Sequence, residues 1–145
     1  MEEWYNMKSN RAVINNLLLH RDPFLFVKCI SIEGELIIGQ QIFKEDSAFF
    51  KGHFPNNPIV PGVLIVESMV QCGGAGAKLV LGQSASLFKL ISINKASFHK
   101  IILPNQEIRI EIKNISIDNN LINQSGKAYV NGELAAKAEW ICYSE

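Results

Sequence analysis

The feature that most constrains the fold of this chain is an apolar segment at residues 63–81, which approaches the length of a membrane span. The segment also carries two charged side chains and three glycines, which disfavour a bilayer. Pro61 fits the first turn of a helix and Gly82 fits a C-terminal stop. A helix that is apolar on nearly every side must be enclosed by protein. The sequence therefore predicts a buried central helix and no membrane insertion.

The segments around this helix have the patterns of β-strands, apart from one helical pattern at residues 10–19. Asn131-Gly132 is a strong hairpin signal, and the alternation of isoleucines slips near Asn114, which predicts a bulge. Strands are predicted at residues 24–32, 36–43, 87–98, 107–112, 121–130 and 134–142. The residues expected to share one face of the last strand are Leu134, Ala136, Ala138, Trp140 and Cys142. The prediction is an α+β fold in one domain at residues 1–145, with a curled antiparallel sheet wrapped around one long helix.

Composition excludes several classes of protein. The formal net charge is zero, which argues against a nucleic-acid partner. The N-terminus has no pattern of a signal peptide, and the three cysteines form no CxxC pair, so we expect reduced thiols and a cytoplasmic protein. The three histidines have no metal-binding spacing, so neither a metal site nor a cofactor is predicted.

Two polar side chains in the apolar helix are candidates for chemistry. Glu67 is a carboxylate in a helix that is otherwise expected to be buried, where an unpaired charge costs several kcal/mol. Gln71 lies four residues later on the same helical face, so its amide is in reach of the Glu67 carboxyl group. The functional interpretation is an oriented acid; the structural alternative is a carboxylate that pairs with a core polar group.

The loop before the helix supplies two further candidates. His53 lies in a loop rich in proline, and imidazole suits proton abstraction near pH 7, although a loop histidine is more often structural or solvated. Gly62 lies at the start of the helix, where backbone N–H groups lack partners and the helix dipole is positive. Its N–H group suits stabilisation of an enolate formed from a thioester. A base, an acid and an oxyanion donor together match β-elimination of water.

The string GHFPNNPIVPGVLIVESMVQ, at residues 52–71, resembles the signature of the FabZ-type 3-hydroxyacyl-[acyl-carrier-protein] dehydratases, and HRDPFLFV, at residues 20–27, resembles a second motif of that family. The resemblance extends over the whole chain and implies the hotdog fold. It implies that His53 and Glu67 are the catalytic pair, that the Gly62 N–H polarises the thioester carbonyl and that Gln71 supports the carboxylate.

The resemblance also implies partners. In the family the two catalytic side chains come from opposite subunits of a homodimer, the dimers often form trimers of dimers, and the acyl chain occupies an apolar tunnel at the interface. The substrate is carried on the phosphopantetheine of an acyl carrier protein. Phe54, beside His53, is interpreted as a substrate contact, and Phe88 and Phe98 as core residues rather than tunnel wall. Lys89, Lys95, His99 and Lys100 are either a basic patch for an acidic carrier protein or solvated surface residues.

The chain departs from the family pattern outside the chemistry, at Lys28, at Ser97 and at residues 104–106. These departures concern the carrier surface and the chain-length preference. They leave open a specialised dehydratase of a polyene or other secondary lipid pathway. The sequence is also compatible with a hotdog acyl-thioester hydrolase and with a non-catalytic acyl-binding subunit.

Overall fold

The computed structural model describes the backbone of residues 7–145 and the side chains from residue 11 onwards. Two helices, six strands and a short 3-10 helix at Ala48–Lys51 make up this part of the chain. In chain order the elements are α1 Met7–Leu17, β1 Cys29–Glu33, β2 Leu36–Ile42, α2 Gly62–Leu81, β3 Phe88–Phe98, β4 Glu107–Asp118, β5 Leu121–Val130 and β6 Glu133–Ser144. The helix predicted at residues 10–19 thus begins and ends earlier, and its first residues lie outside the described side chains.

All six strands form one antiparallel sheet in the order β1-β2-β4-β5-β6-β3. The central helix α2 packs against all six of them. This is the predicted α+β architecture, with a sheet around one long helix.

Helix α2 is the core of the molecule. It is the one helix among residues 7–145 long and apolar enough to cross a membrane, and 72% of its apolar window is buried inside the protein. Gly82 ends it in the left-handed conformation, as predicted, with φ of 65°. Pro61 lies one residue earlier than predicted, at the N-cap, where its carbonyl accepts hydrogen bonds from the N–H groups of Leu64 and Ile65.

Glycine lets the sheet approach this helix closely. A Cβ atom at Gly76 would overlap the side chain of Ile37 on β2, and one at Gly73 would overlap Gln124 on β5. The cost of glycine in a helix, about 1 kcal/mol relative to alanine, is therefore offset by closer packing of the sheet against α2.

The prediction of a strand at residues 24–32 is wrong for its first half, because β1 begins only at Cys29. The backbone of Phe24 and Phe26 bonds to side chains of α2 instead of to a strand. The Phe26 N–H donates to Gln71 Oε1 at 2.8 Å, Ser68 Oγ donates to the Phe26 carbonyl at 2.6 Å, and Gln71 Nε2 donates to the Phe24 carbonyl at 3.1 Å. Pairing with the helix therefore replaces sheet pairing here.

The pairing of the long strands shifts register at four points, two of them between β3 and β6. The register of β4 against β5 shifts between Asn114 and Ser116, which confirms the predicted bulge. A second shift, at Ala128 and Tyr129 of β5, was not predicted, and it buries Ala135 while Leu134 is only partly buried. The inward face of β6 was therefore predicted wrongly at Leu134, although the other four members of that face are buried.

Strand β3 forms one edge of the sheet and pairs, within the described residues, with β6 alone. Large apolar side chains on β3 and in the segment that follows it are 43–63% exposed: Leu90, Ile91, Ile93, Phe98, Ile101 and Leu103. An exposed apolar edge of this kind is typical of a surface that pairs with another chain.

Candidate active site

Glu67 is held in one orientation by Gln71. Both residues lie on α2, and Gln71 Nε2 donates a hydrogen bond of 2.8 Å to Glu67 Oε2, the contact expected from the sequence. The Gln71 side chain is buried, and its two remaining hydrogen bonds go to the backbone of Phe24 and Phe26. Because the amide is fixed from both sides, the carboxyl group that it binds is fixed as well.

His20 is a polar neighbour of Glu67 that the sequence did not mark as part of the site. Its Nε2 atom lies 3.9 Å from Glu67 Oε2, and its Nδ1 atom is buried without a hydrogen-bond partner among the described residues. The guanidinium group of Arg21 bonds to the carbonyls of Asn15, Leu18 and His20, which fixes this turn. The signal in the sequence was the position of His20 at the start of the HRDPFLFV motif.

Glu67 and His20 open into a small cavity of about 80 Å³. Its walls are partly polar and partly apolar. The lining residues are Leu18, His20, Glu67, Val70, Gln71, Gly74, Phe88, Leu90 and Cys142. Burial, and secondly the charge of Glu67, raise the pKa of the Cys142 thiol to about 12, so this wall of the cavity is a neutral thiol. A carboxylate in a cavity that also has apolar walls suits proton transfer to a substrate with a hydrocarbon tail.

His53 is held by the loop that precedes α2. Its Nδ1 atom lies 3.0 Å from the carbonyl oxygen of Ile59, and the Ile59 N–H in turn donates to the His53 carbonyl at 3.1 Å. A carbonyl oxygen only accepts, so Nδ1 carries the proton and, in neutral imidazole, Nε2 carries the lone pair. The ring of Phe54 stacks on the imidazole with 4.2 Å between centroids and is half exposed. The Nε2 atom of His53 is therefore the ring nitrogen that can accept a proton.

Gly62 begins α2, directly after the Pro61 N-cap. The first N–H groups of a helix have no carbonyl partner within it, and they lie at the positive end of its dipole. The ring of Phe98 packs over this position, and a Cβ atom at Gly62 would lie 2.9 Å from Phe98 Cε1. Phe98 is itself half exposed, so its interpretation as a core residue is wrong. The absence of a side chain at Gly62 makes room for the Phe98 ring.

The chain does not bring His53 and Glu67 into contact. Among the residues described, no ion pair or hydrogen bond joins them, and His53 is absent from the cavity that Glu67 lines. Within the described part of one chain, the two candidate residues therefore have separate surroundings: Glu67 lines a cavity with Gln71 and His20, and His53 lies beside the ring of Phe54.

The proposed basic patch is largely neutralised by acidic neighbours. Lys89 pairs with Glu145 at 3.1 Å, Lys95 with Glu139 at 3.8 Å and Lys100 with Glu133 at 3.0 Å. The His99 ring bonds to Ser97 Oγ at 2.9 Å. The geometry therefore favours the interpretation of these side chains as ordinary surface residues.

A larger groove, of about 770 Å³, lies away from the candidate residues. Its lining comes from β2 to β6 and includes side chains such as Lys113, Lys127 and Lys137. None of His53, Phe54, Gly62, Glu67 and Gln71 lies in it. The smaller cavity at Glu67 is the better candidate, because it joins an ionisable group to an apolar wall.

Comparison with solved structures identifies the fold of this chain. The dehydratase heterocomplex ApeI:P from Xenorhabdus doucetiae matches with a TM-score of 0.76 over 91% of this chain and 90% of that one, at 15% identity. Cj0977, a sigma28-regulated virulence protein from Campylobacter jejuni, matches with a TM-score of 0.69 over 92% and 95%, at 11% identity. A hypothetical thioesterase with coenzyme A from Streptococcus pneumoniae matches with a TM-score of 0.60 over 80% and 84%, at 11% identity. The fold is the hotdog fold.

Sequence comparison then defines the family. The FabA-like domain matches residues 18–139. The 3-hydroxyacyl-[acyl-carrier-protein] dehydratases FabZ of Xanthomonas euvesicatoria and Xanthomonas oryzae are each 37% identical over 143 residues, covering 95% of this chain and 94% of the relative. The chain belongs to the FabA-like family, and the resemblance to FabZ-type dehydratases is confirmed.

Proposed function

We propose that this protein dehydrates (3R)-3-hydroxyacyl-[acyl-carrier-protein] to trans-2-enoyl-[acyl-carrier-protein] in fatty acid or related lipid biosynthesis. The observation that carries the proposal is the Glu67 carboxyl group, which buried Gln71 holds against a cavity with both polar and apolar walls. The FabZ relatives, at 37% identity over 95% of the chain, support the reaction class.

The proposed reaction uses three groups of this chain. His53 Nε2 removes the proton at C2 of the substrate, because Nδ1 is already committed to the Ile59 carbonyl. The Gly62 N–H stabilises the negative charge that develops on the thioester oxygen, a contribution of about 3 kcal/mol for one such donor. Glu67 gives its proton to the 3-hydroxyl group, the C3–O bond breaks, and water leaves with the formation of the C2–C3 double bond. Phe54 contacts the substrate beside His53.

The complete site requires two subunits in this proposal. His53 of one subunit meets the partner subunit's Glu67, since the two do not meet within the described part of one chain. Strand β3 supports a pairing surface, because it is an edge strand with exposed isoleucines at positions 91 and 93. We propose a homodimer, or a trimer of such dimers, as the working assembly.

The acyl group is delivered on the phosphopantetheine of an acyl carrier protein. The ion-paired lysines at positions 89, 95 and 100 are poor candidates for the docking surface, because each already has a carboxylate partner. We place the protein in the cytoplasm, where its three buried free cysteines remain reduced.

A specialised pathway is a second candidate. The ApeI:P complex, a dehydratase heterocomplex, shares the fold of this chain at 15% identity. Together with the departures at Lys28 and Ser97, this is compatible with a polyene or other secondary lipid pathway.

The test is turnover of 3-hydroxyacyl-carrier substrates by the purified protein, with enoyl absorbance and free thiol measured in parallel. Enoyl formation without thiol release supports dehydration, whereas thiol release indicates an acyl-thioester hydrolase. Glu67→Gln and His53→Ala are expected to abolish turnover. Glu35→Gln, on the exposed β1–β2 turn, and His99→Ala, on the surface, are the matched controls and should leave it unchanged. Binding of the acyl group without turnover would favour a non-catalytic acyl-binding subunit.

A further inference from the structure

The face of α2 that carries Glu67 continues away from the proposed chemistry. Gln71, Gly74 and Lys78 follow Glu67 at helical spacing, so these four residues lie along one side of the helix. The cavity at Glu67 includes Gly74 but not Lys78. It therefore follows this face of the helix and ends before Lys78.

Phe88, the first residue of β3, closes the cavity at that point. Its ring lies across Gly74, where a Cβ atom would be 3.3 Å from Phe88 Cζ. Leu90 and Cys142 also line the cavity. The absence of a side chain at Gly74 lets the ring reach the helix, so the ring forms the floor of the cavity.

Lys78 lies behind this ring and is 1% exposed, which is unusual for a lysine. Its Nζ atom donates hydrogen bonds to Ser86 Oγ at 2.6 Å and to Ser144 Oγ at 3.1 Å, and lies 5.2 Å from the centroid of the Phe88 ring. Burial lowers the pKa of Lys78 below its usual range. The bonds tie Ser86, two residues before Phe88, and Ser144, the cross-strand partner of Phe88, to α2. The Lys78 side chain also makes a cation–π contact with the ring.

We propose that Phe88 sets the upper limit of acyl chain length, and that Lys78 is the positioning residue that holds Phe88 in place. The inference rests on the proposed function and adds the residue that limits its substrate. The Phe88 ring closes the cavity that Glu67 lines, so an acyl chain that enters beside Glu67 meets the ring as it lengthens. The activity of the parent protein should therefore fall beyond the chain length at which the acyl tail reaches Phe88.

The experiment is a series of 3-hydroxyacyl-carrier substrates from four to fourteen carbons, assayed with the full-length protein and its variants. Phe88→Ala is expected to raise the ratio of kcat/KM for ten carbons to that for four carbons by at least about tenfold, because several buried methylene groups gain contact. Phe88→Trp is expected to shift the profile in the opposite direction. Leu121→Ala, at an exposed position on β5, is the matched control and leaves the ratio unchanged.

Lys78→Met keeps the length of the side chain and removes its charge. This variant is expected to raise the same ratio about threefold, because the Phe88 ring loses its contact with the Lys78 Nζ atom. A purely structural lysine would lower the melting temperature and leave the ratio unchanged. An unchanged ratio in folded Phe88→Ala and Phe88→Trp proteins overturns the proposal for Phe88, and an unchanged ratio in Lys78→Met overturns the role of Lys78.

Failure of the proposed function is distinguishable from failure of this inference. If the parent protein turns over no chain length, the dehydratase proposal fails. The floor is then tested by the affinity for saturated acyl-carrier thioesters of the same lengths. A chain length beyond which the parent loses affinity, and which Phe88→Ala extends, supports the floor, whereas an affinity that rises with length over the whole series overturns it.

Discussion

Gln71 Nε2 donates a 2.8 Å hydrogen bond to Glu67 Oε2, while the Oε1 atom of the same amide accepts the N–H of Phe26. One side chain therefore links the candidate acid on the central helix to a segment that is distant in sequence. The same contact that holds the fold together also orients the carboxyl group. Stability and activity should consequently change together at Gln71.

Gln71→Ala is expected to lower the free energy of unfolding by about 1–3 kcal/mol, because it leaves the buried Phe26 N–H without its acceptor. It is also expected to lower kcat more than it changes KM, because Glu67 loses its fixed orientation. Denaturant unfolding and steady-state kinetics measure the two effects. Gln83→Ala, on the exposed residue after the α2 C-cap, is the control and should alter neither. Full activity in Gln71→Ala would contradict the orienting role.

Gly76→Ala tests the close approach of α2 and the sheet. Alanine is the better helix former by about 1 kcal/mol, yet its Cβ atom would overlap Ile37. Overpacking of a filled core costs typically ~1–3 kcal/mol, so we expect net destabilisation in thermal unfolding. Adding Ile37→Val, which removes one methyl group, should restore part of the loss. A more stable Gly76→Ala protein would show that the contact is not tight.

Stability should fall steeply at alkaline pH because of Cys72. Burial raises the pKa of this thiol from 9.0 to about 12 in the folded protein. The folded state therefore keeps a proton that the unfolded state releases above pH 9. The contribution of the Cys72 thiol to the free energy of unfolding is complete below pH 9 and is lost between pH 9 and about 12. The slope from one such thiol is about 1.4 kcal/mol per pH unit.

Denaturant unfolding of the parent protein and of Cys72→Ala between pH 8 and pH 11 measures this slope. Other groups titrate in both proteins, so the difference between them isolates Cys72. We expect Cys72→Ala to show the shallower decline above pH 9. Parallel curves for the two proteins would mean that the thiol ionises equally in the folded and unfolded states.

Ile93→Glu tests the edge strand as the subunit interface. A charge on the exposed apolar edge of β3 should prevent pairing, so we expect a monomer and a loss of turnover of at least about tenfold. Light scattering and the enoyl assay measure both. Ile117→Glu, at a comparably exposed isoleucine on β4, is the matched control. A dimeric, active Ile93→Glu protein would move the interface elsewhere.

The sequence predicted those parts of the fold that depend on local chemistry. Periodicity and Gly82 located the end of α2, and the slip in the isoleucine pattern located the bulge near Asn114. The sequence did not reveal that the side chains of Gln71 and Ser68 would bond to the backbone of residues 24–26 in place of a neighbouring strand. These hydrogen bonds join positions more than forty residues apart. The ion pairs of the surface lysines were not predicted either, because they also join residues that are far apart in sequence.

The site residues could be predicted where a sequence motif contains them. They could not be predicted where only the three-dimensional fold brings them together. Gln71 meets Glu67 as the helical spacing indicated. His20 and Phe88 reach the same cavity from the turn after α1 and from β3, and no local pattern joins either of them to Glu67. The catalytic roles of His53, Glu67 and Gly62, and the substrate contact of Phe54, stay predictions.

The proposed reaction requires His53 of one subunit to work with the partner subunit's Glu67. Inactive His53→Ala and Glu67→Gln proteins can be mixed under conditions of subunit exchange and assayed for turnover. Each mixed dimer then contains one intact site, so random exchange should restore about a quarter of the parent activity. No recovery, with mixed dimers verified by differently tagged subunits, would contradict the account.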